Sequence, residues 1–270
     1  MENSSKYLEL YDFDKSVLAG TTYRLNGKSE TPFKSLNLGF NSGDDVLIVL
    51  DNYSYLIEEL GLKDKFLFLT NQVHGDKIKV IRKEDIASKV KSDIYNPSDM
   101  ITFVDEHDGM VTNVDEVALM TFYADCVPLV FFDPIKKVIG NCHAGWRGTV
   151  KKIPSVVIKH MVDDFGSKPS NIMVAIGPCA SSCCYEVDKN VIDEFINSFN
   201  NSNGLYTEKP NGKYMLNLKL ANKLTLVELG IDEANITISK NCTMCNNDLF
   251  FSYRIENGIT GRHSAIITIK

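Results

Sequence analysis

Residues 124–148 read ADCVPLVFFDPIKKVIGNCHAGWRG, and their pattern decides the fold. Leu129 to Asp133 and Val138 to Cys142 are short runs of β-branched and aromatic residues. Pro134, Ile135, Lys136 and Lys137 separate them, a spacing that predicts a hairpin. A turn centred between Pro134 and Ile135 pairs residues whose numbers sum to 269, which sets Cys126 opposite His143. A shift of a residue or two still brings a thiol and an imidazole to the same end of the ribbon. The pairing alone is compatible with a metal site, with a nucleophile and its base, or with neither.

Upstream of the hairpin, residues 18–40 (LAGTTYRLNGKSETPFKSLNLGF) read as strands joined by ordered loops, with no helix. From Asp44 to Leu60 the residues Val46, Val49, Leu50, Tyr53, Leu56, Ile57 and Leu60 recur at helical spacing, and Gly61 supplies a stop. KFLFLTNQVHG (65–75) predicts a buried strand ending in a polar turn, with His74 just past its end; DGMVTN (108–113) and VALMTFYA (117–124) predict two more strands. Downstream, GTVKKIPSVVIKHMVDDFG (148–166) reads as one helix closed by Gly166. A strand follows at IMVAIGP (172–178), then a helix around NVIDEFINSF (190–199) and a Gly/Asn-rich loop through Gly212. The helix LNLKLANKLTLVELG (216–230) and the strand NITISK (235–240) complete the alternation. No repeat, low-complexity tract or Pro/Ser linker divides the chain. The expectation is one α/β domain over residues 1–270, with mixed β-sheets flanked by helices.

The 270 residues, 44% hydrophobic and 24% charged, are enough for a substantial core. A net charge of −6 argues against a nucleic-acid partner, which would need a basic face to neutralise phosphates. MENSSKYLEL lacks a basic segment followed by an apolar one, and no stretch reaches bilayer-spanning length, so no membrane partner and a cytoplasmic location are expected. Seven cysteines, an odd number and scattered, do not resemble a secreted disulfide framework. Reduced thiols, some of them ligands, fit better.

Three candidate metal ligands fall at strand ends: His74, Cys126 and His143. Zinc accepts imidazole and thiolate, and three protein ligands leave a fourth tetrahedral position for water or substrate, the arrangement of a catalytic site. The glycines of HG and HAGWRG allow close approach of backbone and ligands. Each residue also has a plainer reading, a satisfied surface histidine or a core thiol. That plainer role is assigned to His107, His160 and His263. Cys242 and Cys245 form a single C-x-x-C, as compatible with two packed thiols as with half a zinc site, and the vicinal Cys183 and Cys184 read as structural.

NQVHGDKI (71–78), ADCVPLVFFD (124–133), CHAGWRGTV (142–150), AIGPC with CYEV (175–187), and CTMCNNDLFFSYR with TGR (242–262) together resemble the YfiH/YlmD family. This is the laccase-domain or polyphenol-oxidase-type family, to which human laccase domain-containing protein 1 is related. The resemblance runs from about Leu18 to the end of the chain. It implies an α/β fold of mixed sheets and a single zinc held by His74, Cys126 and His143. It further implies phosphorolysis of purine nucleosides (adenosine, inosine or methylthioadenosine plus phosphate, giving base and ribose 1-phosphate), with adenosine deamination beside it. Members often carry His where this chain has Asn41, and a second Arg where Ile255 follows Arg254. Both departures bear on substrate preference more than on metal binding.

The family's older label is copper-dependent laccase. A multicopper oxidase needs on the order of ten His ligands, and this chain has five. For deamination, a metal that lowers the pKa of water to about 7 supplies a nucleophile for purine C6, and Asp125 beside the Cys ligand is a candidate proton carrier or orienting group. For phosphorolysis, cations must hold phosphate. Arg147 is the first candidate, with a loop-pinning salt bridge as its alternative; Arg24, Arg254 and Arg262 are the others. Asn37, Gln72 and Ser252 match family positions that line the pocket. Competing readings are a Cys/His hydrolase with Cys126 as nucleophile and His143 as base, a copper-dependent polyphenol oxidase, and a zinc-stabilised binding module. A monomer or a homodimer is expected.

Overall fold

The hairpin forms as two seven-residue strands in the computed structural model, which describes residues 6–87 and 96–270. In chain order the strands are β1 (Leu8–Leu10), β2 (Val17–Thr22), β3 (Phe66–Asn71), β4 (Ile78–Ile81), β5 (Ile101–Asp105), β6 (Gly109–Thr112), β7 (Val117–Tyr123) and β8 (Val127–Asp133). They continue with β9 (Val138–Ala144), β10 (Met173–Ile176), β11 (Glu186–Val187), β12 (Tyr206–Glu208), β13 (Tyr214–Leu216), β14 (Ile236–Ile238) and β15 (His263–Ile269). The helices are α1 (Val46–Leu60), α2 (Pro97–Met100), α3 (Trp146–Val150), α4 (Ile153–Phe165), α5 (Lys189–Ser198) and α6 (Leu218–Glu228).

Two six-stranded mixed sheets carry the fold, one ordered β1-β2-β15-β7-β3-β5 and the other β14-β10-β8-β9-β6-β4, beside a small sheet β11-β13-β12. The strand period of two distributes side chains between three cores. Leu129 and Phe131 of β8 pack toward α4 and α6 with Val157, Met161 and Leu226, whereas Val130 and Phe132 face Leu119 and Ile267 of the other sheet. On that other sheet, Met120 and Ile266 point outward against Val49, Tyr53, Leu56 and Ile57 of α1. The order of layers is therefore helix, sheet, sheet, helix. Strands buried on both faces lose the polar alternation of a half-exposed sheet, and β8, β9 and β15 are accordingly buried at all seven positions. Each fully buried large apolar side chain contributes about 1.5–3 kcal/mol of transfer free energy.

Several expectations change in detail. The hairpin register sums to 271, with Asp133 opposite Val138 and Pro128 opposite His143. The Asp133 carboxylate accepts from the N–H groups of Ile135 (2.8 Å) and Lys136 (3.1 Å), and Lys137 takes φ 53°, so the turn spans four residues and is centred one position later than expected. Cys126 consequently lies just before β8, still at the His143 end. The helix expected over 148–166 is broken into α3 and α4 at Lys152, which is left-handed (φ 55°, ψ 46°). Pro154 has no N–H to give, and its ring would meet the Val150 carbonyl of a continuous helix. The Gly/Asn-rich loop before Gly212 contains β12, and β15, which no expectation anticipated, lies inside the first sheet between β2 and β7. The α1 expectation holds: Asp45 caps its start by accepting from the Leu47 N–H at 2.8 Å, and Gly61 ends it at φ 66°.

Candidate active site

His74, Cys126 and His143 converge. One donor atom from each lies within 4.8 Å of the other two, and the imidazole rings meet edge to face at 4.7 Å between centroids. His143 comes from β9, where both strand faces are covered, and is 3% exposed. Cys126 follows Asp125, whose φ of 93° turns the chain sharply ahead of β8. His74 leaves β3 through a turn at φ 58° and is the exposed member. A Cβ on Gly145 would stand 3.0 Å from His74 Cδ2 and 3.2 Å from Cys126 Sγ. The absence of a side chain there is what lets the three donors close on one another.

Asp108 organises the cluster and was not anticipated. Fully buried, its Oδ1 accepts from His143 Nδ1 (2.9 Å) and the His74 N–H (3.0 Å), while Oδ2 accepts from the N–H groups of Gly75 (2.7 Å) and Val73 (3.2 Å). One carboxylate thus fixes both the His143 ring and the backbone turn that carries His74. With Nδ1 committed to Asp108, Nε2 is the nitrogen of His143 left for the cluster, the arrangement that recurs around ligating imidazoles. No local signal marked this residue, because its partners lie some 34 positions away on each side.

The electrostatics follow from these contacts. Burial alone would raise the Cys126 thiol, but the charge and hydrogen bond of His143, supported by His74, bring it down to about 6. Burial would lower His143, yet Cys126 and Asp108 bring it up to about 9. Burial would also raise Asp108, and His143 with the Gly75 and Val73 amides instead holds it below the usual carboxylate value. These directions favour a thiolate on Cys126 beside a charged His143 held by Asp108, and a metal binding at Nε2 would take the place of a His143 proton. Two imidazoles and a thiolate around a Gly145-sized gap fit one zinc with an open position, or one copper. They do not extend to a multicopper centre. His107 and His160 sit apart with Nδ1 against Asp105 O (2.6 Å) and Asp164 Oδ2 (2.8 Å), and His263 is enclosed by aromatic rings.

The cluster forms part of the wall of a cavity of about 600 Å³, within the size of small-molecule sites. Phe40, Phe122, Trp146, Tyr185 and Tyr253 supply aromatic surface; Arg147, Arg254 and Arg262 supply cationic groups. Arg147 is exposed, lies over the Trp146 ring at 4.3 Å, and among the described residues makes no ion pair, so the alternative of a loop-pinning salt bridge is not what the structure shows. Arg254 donates to Glu186 O (2.9 Å), and Arg262 donates to Thr260 O and Gly261 O. Asn41 also lines the cavity, so that departure from the family pattern sits where a ligand would meet it.

Of the other anticipated residues, Arg24, Asn37 and Ser252 hold the wall from outside, whereas Gln72 and Asp125 line it. Arg24 does not line this cavity: its guanidinium is spent on Lys34 O, Asn247 O and Glu256. Asn37, fully buried, donates to Ser42 and Asp44 and accepts from the Gly39 and Arg262 amides. Ser252 is buried and accepts from the Ile255 N–H. Gln72 does line the cavity, but both ends of its amide bind the Phe122 backbone, at 2.9 and 2.7 Å. Asp125 accepts from Thr243 Oγ1 (2.6 Å) and the Arg254 N–H (2.8 Å), which suits it to orienting the loop more than to carrying protons.

A family model described as multi-copper polyphenol oxidoreductase laccase matches residues 18–270. Purine nucleoside phosphorylase YlmD of Geobacillus stearothermophilus is 38% identical over 93% of this chain and 89% of its own length. Adenosine deaminase RL5, from an unknown prokaryotic organism, is 32% identical over 92% and 93%. The crystal structure of the Bacillus licheniformis hypothetical protein YfiH superposes with a TM-score of 0.88 at 33% identity, covering 98% of this chain and 97% of that one. The chain shares its fold with YfiH and nearly its whole length with these proteins, and it belongs to the laccase-domain family of YlmD and YfiH.

Proposed function

We propose that this chain is a zinc-dependent purine nucleoside phosphorylase of the cytoplasm, acting on adenosine, inosine or methylthioadenosine with phosphate, and that it deaminates adenosine as a side reaction. The observation that carries this reading is the His74, Cys126 and His143 cluster opening onto a cavity with aromatic faces and an uncommitted arginine. The names of the relatives, a purine nucleoside phosphorylase and an adenosine deaminase, point to the same substrate class. All seven cysteines are free thiols, in keeping with a reducing compartment, and no helix among the described residues is long and apolar enough to cross a membrane.

In phosphorolysis the bond from ribose C1′ to the purine nitrogen breaks and a bond from C1′ to a phosphate oxygen forms, with positive charge gathering at C1′ between them. The ring faces of Trp146, Phe122, Tyr185 and Tyr253 offer stacking surface for the base. In this reading Arg147, which makes no ion pair among the described residues, would bind phosphate in a bidentate fashion, and Arg254, also in the cavity wall, would add charge. His74, Cys126 and His143 would hold the zinc, which when bound would supply Lewis-acid polarisation and, for deamination, an activated water. Asp108 keeps His143 and the His74 turn in place throughout.

Metal-quantified protein incubated with adenosine should yield adenine and ribose 1-phosphate only when phosphate is added, and Cys126→Ala should lose this activity. Inosine formed without any phosphate requirement would make deamination the main reaction. No product from zinc-loaded protein on any of the three nucleosides would overturn the reading. The hydrolase alternative has one observation in its favour, the lowered Cys126 thiol. Iodoacetamide separates the two: a ligating thiolate should alkylate at least about tenfold more slowly before chelation than after it, whereas a free nucleophile should react equally in both.

A further inference from the structure

A second cysteine cluster lies outside the site described above. Cys183 and Cys184 sit in the turn before β11, and Cys242 and Cys245 in the turn after β14, some 60 residues away in sequence. An isolated parallel bridge between Cys179 and Cys242 aligns the two segments, and the Thr243 N–H donates to Cys179 O at 3.1 Å. One sulfur from each of the four cysteines lies within 4.8 Å of the other three. We propose that Cys183, Cys184, Cys242 and Cys245 form a second metal site, a closed four-thiolate centre suited to zinc, which clamps two loops of the cavity wall.

The spacing supports a shared ion over paired sulfurs. Cys245 Sγ is 3.6 Å from Cys183 and 3.2 Å from Cys184, so it approaches two partners at once. Four sulfurs at about 2.3 Å from a tetrahedral zinc stand roughly 3.8 Å apart, close to what is seen. The sulfur of Cys242 accepts from the Ser181 N–H at 3.4 Å and also from the backbone of Met244 and Cys245. Such amide donors stabilise a thiolate, and a C-x-x-C turn presents them because the chain folds back over its first cysteine. Cys183 and Cys245 are exposed, which gives an ion an entry path. With all four positions filled by protein, the centre is structural, in contrast to the three-ligand cluster.

Its location gives it a consequence. Thr243, inside the C-x-x-C, donates to Asp125 at 2.6 Å, next to Cys126 in the chain. Tyr185, directly after Cys184, lines the cavity under Arg254, whose guanidinium is 5.4 Å from its ring centre. The clamp therefore fixes one aromatic wall and the Asp125 turn without sharing a ligand with His74, Cys126 or His143.

The test is a metal count with X-ray absorption on wild type, Cys126→Ala and the double variant Cys242→Ser/Cys245→Ser, all purified from zinc-supplemented cells. Wild type should hold two zinc equivalents per chain. Cys126→Ala should keep one, with an all-sulfur shell at about 2.3 Å, and the double variant should keep one with nitrogen in its shell. Because the double variant could fail to fold, alkylation of native wild type mapped by mass spectrometry gives a second reading: Cys183 and Cys245 should resist modification until a strong chelator is added. A single zinc that disappears in Cys126→Ala, immediate labelling of the exposed pair, or disulfides among the four would each overturn the proposal. None of these readouts depends on nucleoside turnover, so the site and the enzymatic reading stand or fall separately.

Discussion

Asp108→Asn is expected to weaken metal binding at the His74, Cys126 and His143 cluster by about 10–100-fold. The same change should lower unfolding stability by about 1–3 kcal/mol. The reason lies in how the carboxylate divides its acceptors. Oδ1 serves His143 Nδ1 and the His74 amide; Oδ2 serves the Gly75 and Val73 amides. An asparagine has one oxygen and one NH2 group, so either orientation turns donors against donors. If the NH2 group faces Gly75 and Val73, the turn carrying His74 is displaced. If it faces His143, the imidazole loses the partner that fixes its ring and tautomer. Both outcomes spread the ligands while leaving all three present. Chelator competition measures the affinity and urea titration the stability. An affinity within twofold of wild type would show that the ligands are positioned without Asp108.

That residue also marks where sequence reading stops. The hairpin and the ends of its strands were legible, because a β-branched run, a Pro-containing turn and a second run are local signals. They brought Cys126 and His143 together even though the register slipped by two, since Asp133 lengthened the turn through its own side chain. Non-local bonds left no such trace. Asp108 reads as the start of an unremarkable strand, DGMVTN, and its partners come from β9 and from the turn after β3. Cys183 and Cys184 lack the spacing of a finger, and only the alignment of two distant turns brings them to the C-x-x-C. The same limit works in the other direction. Arg24, Asn37 and Ser252 look available in a sequence, but their polar groups are consumed by protein partners behind the cavity wall. Motif positions near a pocket include those that build it as well as those that touch a ligand.

His263→Phe should reduce the acid sensitivity of the protein by several kcal/mol at the limit of low pH. His263 opens β15 opposite Tyr123, is fully buried, and among the described residues has no hydrogen-bond partner on either ring nitrogen. Tyr123 and Phe251 lie parallel to its ring at 6.2 and 6.5 Å, and Phe250 meets it edge-on at 5.5 Å. Burial first, and then the positive charges of Arg262 and Arg24, bring its pKa down from 6.5 to about 3. The folded protein thus holds a neutral imidazole where the unfolded chain would take up a proton. The stabilising contribution of the neutral form is complete above pH 6.5 and is lost as pH falls toward 3, where the unfolded state binds the extra proton. At about 1.4 kcal/mol per pH unit across that window, the penalty is comparable to a large fraction of a domain's stability. Phenylalanine fills a similar flat volume, cannot be protonated, and removes two unsatisfied nitrogens, so the variant should also gain about 1–3 kcal/mol at neutral pH. Urea titrations of both proteins between pH 7 and 4, at matched metal content, isolate the effect as a difference from carboxylates common to both. The gap in stability should widen steadily as pH falls; a gap that stays constant would mean that His263 is protonated in the folded state or accessible to water.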